Sequence, residues 1–289
     1  MERMLVIGAG TMGRGIAHVG AVAGYEVSVF DTNPEQIDAA LAAIRKNLQK
    51  GVDRGKIDAG DAEAAGARLH AATEMEAAAA EADVVVEAVY ENMELKQTLV
   101  RTLDAVMKPE ALLGSNTSSL SLTEIASAAG RPERVIGMHF FNPVHIMKLL
   151  EVVRAEQTSD DTLERTLALS ERLGKTAIVV RDVPGFATSR LGVILGLEAI
   201  RMVEQEVASP ADIDTAMELG YRHPMGPLKL SDLVGLDVRL AIADHLHREL
   251  GGDQYKAPEL MRQMVADGKT GAKAGEGFYR WENGKPQPT

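Results

Sequence analysis

RMLVIGAGTMGRGIAHVGAVAGYEVSVFD, residues 3–31, decides the fold. An apolar run from Met4 to Ile7 meets a glycine cluster, a small-residue helix follows from about Thr11 to Ala23, and the alternating run Glu26 to Phe30 comes next. That order is strand, helix, strand. Gly8-Ala9-Gly10-Thr11-Met12-Gly13 fits G-x-G-x-x-G at the strand-to-helix turn. Gly8 permits the tight turn, Gly10 lets backbone approach a diphosphate, and Gly13 lets helix pack on strand. The helix start then faces the phosphates with unpaired N–H groups and the positive end of its dipole. Asp31 stands 21 residues after Gly10, at the spacing of an acid that binds a ribose 2′-OH. A carboxylate there repels a 2′-phosphate, so NAD is favoured over NADP. The simpler account, an ordinary turn beside a surface aspartate, must explain all these coincidences at once.

Further apolar runs lie at Ala82–Val89, Ala111–Gly114, Val135–Phe140, Leu149–Ala155 and Thr176–Val180, between helical segments such as Pro34–Lys50 and Glu91–Met107. The alternation predicts a doubly wound α/β sheet over residues 1–183. Beyond Asp182-Val183-Pro184-Gly185 the strands stop, and residues 184–289 are expected to form an all-α second domain. Its first helix, about Phe186 to Val207, has almost no polar face in its middle. Such a helix is buried, at the centre of a bundle or at a subunit interface.

Composition narrows the partners. The 289 residues are 45% hydrophobic and 25% charged, enough for one or two cores. No run approaches the roughly 18–20 apolar residues of a bilayer span, so membrane and secretory classes fall away. With no cysteine, disulfide scaffolds, thiolate metal sites and cysteine nucleophiles are excluded, and a cytoplasmic setting fits. The net charge of −11, with no separate basic stretch, argues against nucleic acid. His245 and His247 are two apart on a helix and point to different sides, so no metal is expected.

Chemistry gathers at the ends of the later strands, where ligands bind in this architecture. Asp83 to Val89 closes one strand, with Glu91 and Lys96 at the start of the next helix; spacing alone weighs a ligand-side role for them evenly against a first-turn acid and a solvated lysine. Ser115-Asn116-Thr117-Ser118-Ser119 closes the next strand, to cap the helix near Leu122, to offer hydroxyls to substrate, or both. Met138-His139-Phe140-Phe141-Asn142-Pro143 then places a histidine at a strand end, and Glu151 follows 12 residues on. A carboxylate on the far ring nitrogen orients an imidazole and supports its cationic form, so His139 with Glu151 is the best base pair in the chain.

The strings GAGTMGRGIA, VVVEAVYEN, SNTSSL, MHFFNPV, KLLEVV, PGF-x-x-S-R, HPMGPLKLSDLVGLD and GKTGAKAGEGFY together resemble the 3-hydroxyacyl-CoA dehydrogenase family, in particular its short 3-hydroxybutyryl-CoA dehydrogenase members. The resemblance runs from end to end. It implies a Rossmann-like NAD domain, a helical C-terminal domain for substrate cleft and homodimer, and oxidation of (S)-3-hydroxyacyl-CoA to 3-ketoacyl-CoA, a step that fatty-acid β-oxidation, butyrate or polyester metabolism and aromatic-acid degradation would all use. It makes His139 the general base, Glu151 its orienting acid, Ser118 the hydroxyl on the substrate's 3-oxygen and Asn142 an active-site residue beside the cofactor. Glu91, Lys96 and Lys273 become cofactor contacts, joining Gly8, Ala9, Gly10, Thr11, Met12, Gly13 and Asp31. Arg54, with Lys50 nearby, sits where the family places a basic residue against coenzyme A.

Two positions depart from the family. Ser189 replaces a common asparagine that donates near the reacting oxygen. Losing an oxyanion donor costs ~10²–10³ in rate, so the change slows the enzyme or accompanies a shifted substrate pose. His145 replaces the proline that usually follows NPV. The Ser189 departure keeps alive a rival enzyme, a dehydrogenase of the same architecture acting on a hydroxy acid or sugar acid without coenzyme A; a second rival, an NAD-binding protein that has lost chemistry, is opposed by His139, Glu151 and Ser118 together.

Overall fold

The computed structural model describes residues 2–287, so positions 1, 288 and 289 of the expected domain ranges lie outside the described residues. The chain divides after Val183 into two compact units. The first runs β1 Arg3–Ile7, α1 Thr11–Val22, β2 Glu26–Phe30, α2 Pro34–Asp53, α3 Ala59–Ala67, β3 Leu69–Ala71, α4 Met75–Glu81, β4 Val84–Glu87, α5 Met93–Val106, β5 Leu112–Ser115, α6 Leu122–Ala126, β6 Val135–Phe140, β7 Leu149–Arg154, α7 Asp160–Arg172 and β8 Thr176–Arg181.

These strands form one sheet in the order β3-β2-β1-β4-β5-β6-β7-β8. The order reverses at β1, between β2 and β4, and β1 is the strand that delivers the glycine turn. Apolar runs such as Met4–Ile7 and Val84–Val86 are buried on both faces, as strands covered by helices must be. Every pairing is parallel except β6 with β7, which is antiparallel. That exception sets the site, because antiparallel partners lie directly opposite each other.

Local chemistry sets the helix starts. Asn33 accepts from the amide of Glu35 at 3.0 Å and Pro34 opens α2, an N-cap followed by a pre-set first residue. Asn92 caps α5 by accepting from Leu95 at 2.9 Å. The helix expected from Glu91 therefore starts at Met93, and Glu91 lies outside it rather than in its first turn. Ser121 caps α6, so that task does not fall to Ser115–Ser119. The short strand β3 and the helix α3 were not expected; three residues at a sheet edge carry too little periodicity to be seen.

The second unit holds α8 Thr188–Glu204, α9 Pro210–Thr215, α10 Pro227–Val234, α11 Leu236–Leu250 and α12 Glu259–Ala266. It also holds a hairpin of β9 Arg280–Glu282 and β10 Lys285–Gln287, which corrects the expectation that strands end at residue 182. Its turn is Asn283-Gly284, both at positive φ, the two-residue pattern suited to strand twist. The long helix is shorter than expected and is not buried all round: Val193, Leu197 and Ile200 face the core, while Leu191 is 70% exposed.

Two buried aspartates explain the small-residue strings of this unit. Asp232 accepts from the amides of Phe278 and Tyr279, both at 3.0 Å, and from Trp281 Nε1 at 2.9 Å. A Cβ on Gly277 would lie 2.2 Å from its carboxylate, so only glycine lets that loop close. Asp214 accepts from Leu228 and Lys229 and from the Tyr279 hydroxyl. These groups hold the unit together. No helix among the described residues is long and apolar enough to cross a membrane.

Candidate active site

The glycine turn shows three different steric demands. Gly8 sits at φ +98°, and a Cβ there would approach the Ala88 carbonyl oxygen to 2.6 Å. At Gly13 a Cβ would come within 1.7 Å of the Gly8 carbonyl oxygen, so turn and helix touch backbone to backbone. Gly10 has nothing within 4 Å of that position. Packing therefore fixes the outer two glycines, while the middle one opens onto space a ligand can fill. Gly10 is also the N-cap of α1 and brings no side chain to the first amides, and the first turn carries no acid. The arrangement suits an anion at Thr11 and Met12. Asp31 accepts from the amides of Ala9 at 2.8 Å and Asn33 at 2.9 Å, so it orders the turn and places its carboxylate beside it. These residues fit a dinucleotide.

At the ends of β4 and β5, the Lys96 amine is fully buried and lies 2.9 Å from both carboxylate oxygens of Glu87, itself fully buried. Ser115 donates to Glu87 as well. Lys96 also reaches Glu91 at 3.5 Å. The solvated reading of Lys96 thus falls away: it is an internal lysine, shared by two acids. Glu91 in turn accepts from the Thr117 hydroxyl at 2.8 Å and from the amides of Ser118 and Ser119 at 2.8 and 2.9 Å. Burial acts to raise its pKa, but Lys96 and these donors outweigh it and hold the carboxyl below its usual range. The network pins the SNTSS turn, and Ser118 remains exposed with its hydroxyl 3.3 Å from Glu91.

His139 and Glu151 are register partners across β6 and β7. Directly opposed residues of an antiparallel pair share a face with Cβ atoms ~5 Å apart. His139 Nδ1 meets Glu151 Oε2 at 2.7 Å, a short contact for a charge-assisted bond. Glu151 is fully buried and His139 is 8% exposed. Phe141 tilts against the imidazole with ring centres 4.6 Å apart, and the Phe140 amide donates to the Asn116 side chain at 3.0 Å, tying the base-bearing strand to the SNTSS turn.

The other expected residues lie as follows. Asn142 is exposed in the loop after β6. Lys50 and Arg54 are exposed at the end of α2, Arg54 as its C-cap. Ser189 is the second residue of α8, and Lys273 donates to Asp237 at 2.6 Å; both belong to the second unit. Sequence reasoning missed Glu87, and with it the bond of Ser115 to Glu87 and that of Asn116 to the Phe140 amide. Glu87 had a signal: a lone acid in an otherwise apolar strand requires a buried cation, and Lys96 is the next lysine. It also missed the cluster of Arg14, His18 and His145 on the α1 side of the Asn142 loop.

Comparison with known proteins places this geometry. Residues 3–183 match the model of the 3-hydroxyacyl-CoA dehydrogenase NAD binding domain, and residues 185–281 that of the C-terminal domain of the same family. A probable 3-hydroxybutyryl-CoA dehydrogenase of Bacillus subtilis is 44% identical over 98% of this chain and 98% of its own length. One from Deinococcus radiodurans is 46% identical over 96% of this chain and 99% of its own. The solved (S)-3-hydroxybutyryl-CoA dehydrogenase of Ralstonia eutropha superposes with a TM-score of 0.93, at 39% identity, over 98% of this chain and all of that one. With a nucleotide turn shaped by Gly8, Gly10 and Gly13, an imidazole held by a buried acid, and both domain models matched in order, the chain belongs to the 3-hydroxyacyl-CoA dehydrogenase family.

Proposed function

We propose that this chain oxidises (S)-3-hydroxyacyl-CoA to 3-ketoacyl-CoA with NAD, and that 3-hydroxybutyryl-CoA represents its substrate class. The observation that carries the reading is the 2.7 Å contact of His139 with Glu151 on paired strands. Gly8 to Gly13 and Asp31 would hold NAD, with Glu91 and Asn142 toward its other end. When bound, NAD supplies the nicotinamide that accepts hydride from C3 of the substrate.

His139 takes the 3-hydroxyl proton at Nε2, because Nδ1 is engaged by Glu151. Glu151 holds the ring and stabilises the imidazolium that forms. Ser118 is placed to exchange its long 3.3 Å bond to Glu91 for the substrate's 3-oxygen. Lys96, wholly buried, acts by fixing Glu91 rather than by touching solvent-borne ligands. Lys50 and Arg54 lie on α2 for the coenzyme A moiety.

Homodimerisation through the second unit completes the proposal, supported by its exposed apolar side chains Leu191, Leu219 and Tyr221 at 70%, 78% and 76% exposure, more than a monomer commonly leaves in one small domain. A cytoplasmic location and a place in fatty-acid β-oxidation accompany it. Assay with NADH tests the substrate: acetoacetyl-CoA should be reduced and free acetoacetate should not. Preference for the free acid would instead favour the dehydrogenase of a hydroxy acid without coenzyme A.

A further inference from the structure

We propose that Arg14, His18 and His145 frame a phosphate-binding subsite on the first unit, with Lys175 behind the loop, that takes a phosphate of the coenzyme A substrate, apart from Lys50 and Arg54. The proposal rests on the acyl-CoA reading above. A cavity of about 50 Å³ opens beside the Asn142 loop, lined by Arg14, His18, Asn47 and His145 among others. It has room for one compact tetrahedral group.

The cavity has a built wall. His18 and His145 stack with ring centres 5.1 Å apart and planes 7° apart. Their contact follows from close packing of α1 on the loop: a Cβ on Gly15 would lie 2.7 Å from Val144, so only glycine brings the helix this near. Lys175 donates to the carbonyls of Val144 and Met147, which fixes the loop and carries a cation to its base. His18 is 92% buried, being 8% exposed, and no ring nitrogen of His18 or His145 has a hydrogen-bond partner among the described residues.

Charge is uncompensated here. Arg14 has no ion-pair partner among the described residues. The charged groups acting on the two rings are Arg14 on α1, His145 on the loop and Lys175 just before β8, with Lys148 acting on Lys175 in turn; the effects on His18, His145 and Lys175 come from burial and from these groups, with no carboxylate among them. Burial, then His145 and Lys175, hold His18 down at about 4, and burial with Lys148 brings Lys175 down to about 8. Cations gathered without an anion favour one that arrives. Direction along α2 points to coenzyme A: Asn47 lines the cavity, and Lys50 and Arg54 follow it by three and seven residues, the spacings that share a helix face. The dinucleotide diphosphate already has the amides at Gly10–Gly13.

Calorimetric titration of wild type, Arg14→Gln and His145→Asn with CoA, dephospho-CoA and NADH tests this, beside KM for acetoacetyl-CoA. His145 is exposed, so its variant keeps the fold. Each variant should weaken CoA about tenfold or more, raise KM alike and leave NADH affinity unchanged. If the gap between variant and wild type vanishes for dephospho-CoA, the 3′-phosphate is the group held; if it persists, the diphosphate is. Unchanged CoA affinity in both folded variants would overturn the subsite, as would a loss confined to NADH. A wild type that binds CoA through Arg14 but turns over no thioester would refute the proposed activity and leave the subsite standing.

Discussion

His18 and His139 are equally buried, each 8% exposed, yet their neighbours differ in kind. His139 faces a carboxylate at 2.7 Å across an antiparallel strand pair. His18 faces another imidazole, with a lysine and an arginine behind it. Burial alone therefore does not say what a histidine does. The difference arises from topology: strand register sets an acid directly opposite His139, whereas close helix–loop packing at Gly15 gives His18 a like partner. The first environment orients the ring through a carboxylate, and the second opposes a proton on it.

The largest break in that comparison is expected from removing the base. His139→Gln should lower turnover of acetoacetyl-CoA by roughly 10²–10⁴-fold, while NADH binding, followed by titration, is retained. Glu151→Gln keeps the shape and removes the charge that supports the imidazolium, so steady-state kinetics should show a loss in the same range. Retained turnover in Glu151→Gln would mean that the acid merely fills space.

A third buried group extends the contrast from histidines to a lysine. Lys96→Met leaves Glu87 wholly buried without its cation, and removal of one partner from such a pair costs about 3–5 kcal/mol. Urea unfolding should record it, and adding Glu87→Gln should restore part of the loss. An unchanged midpoint in Lys96→Met would show that Glu87 finds water or a proton instead.

A smaller effect, one of pH, sharpens the His18 side. Its value falls from 6.5 in the unfolded chain to about 4 in the fold. Above 6.5 the ring is neutral in both states and nothing is lost; between 6.5 and about 4 only the unfolded chain takes the proton. Stability should thus decline as pH falls through that window, by about 3 kcal/mol in all. Melting curves of His18→Gln across the same window should lack this share of the decline. An acid limb identical to that of wild type would contradict the environment assigned to His18.

Much of this was legible in the sequence where the signal is local. Residues 3–31 carry two strand patterns and a glycine turn in one short stretch, and β1, α1 and β2 follow them within a residue or so. His139 and Glu151 are 12 residues apart on successive apolar runs, so their meeting needed only that those runs pair. What stayed hidden depends on distance or on capping. Nothing in the chain announces that His18 meets His145, since helix and loop come together through tertiary packing. Lys96 looked like any helix lysine until β4 and β5 closed over it. The Asn283-Gly284 hairpin was readable from its turn residues and was passed over because helices dominate around it.

The account stands most directly on where the His139 ring lies relative to the reacting carbon. A crystal structure of the protein with NAD and acetoacetyl-CoA measures it: Nε2 is expected within about 2.6–3.2 Å of the substrate's 3-oxygen, with Glu151 still on Nδ1. A ring turned away from that oxygen, or a Glu151 carboxylate that has left it in the complex, would contradict the assignment.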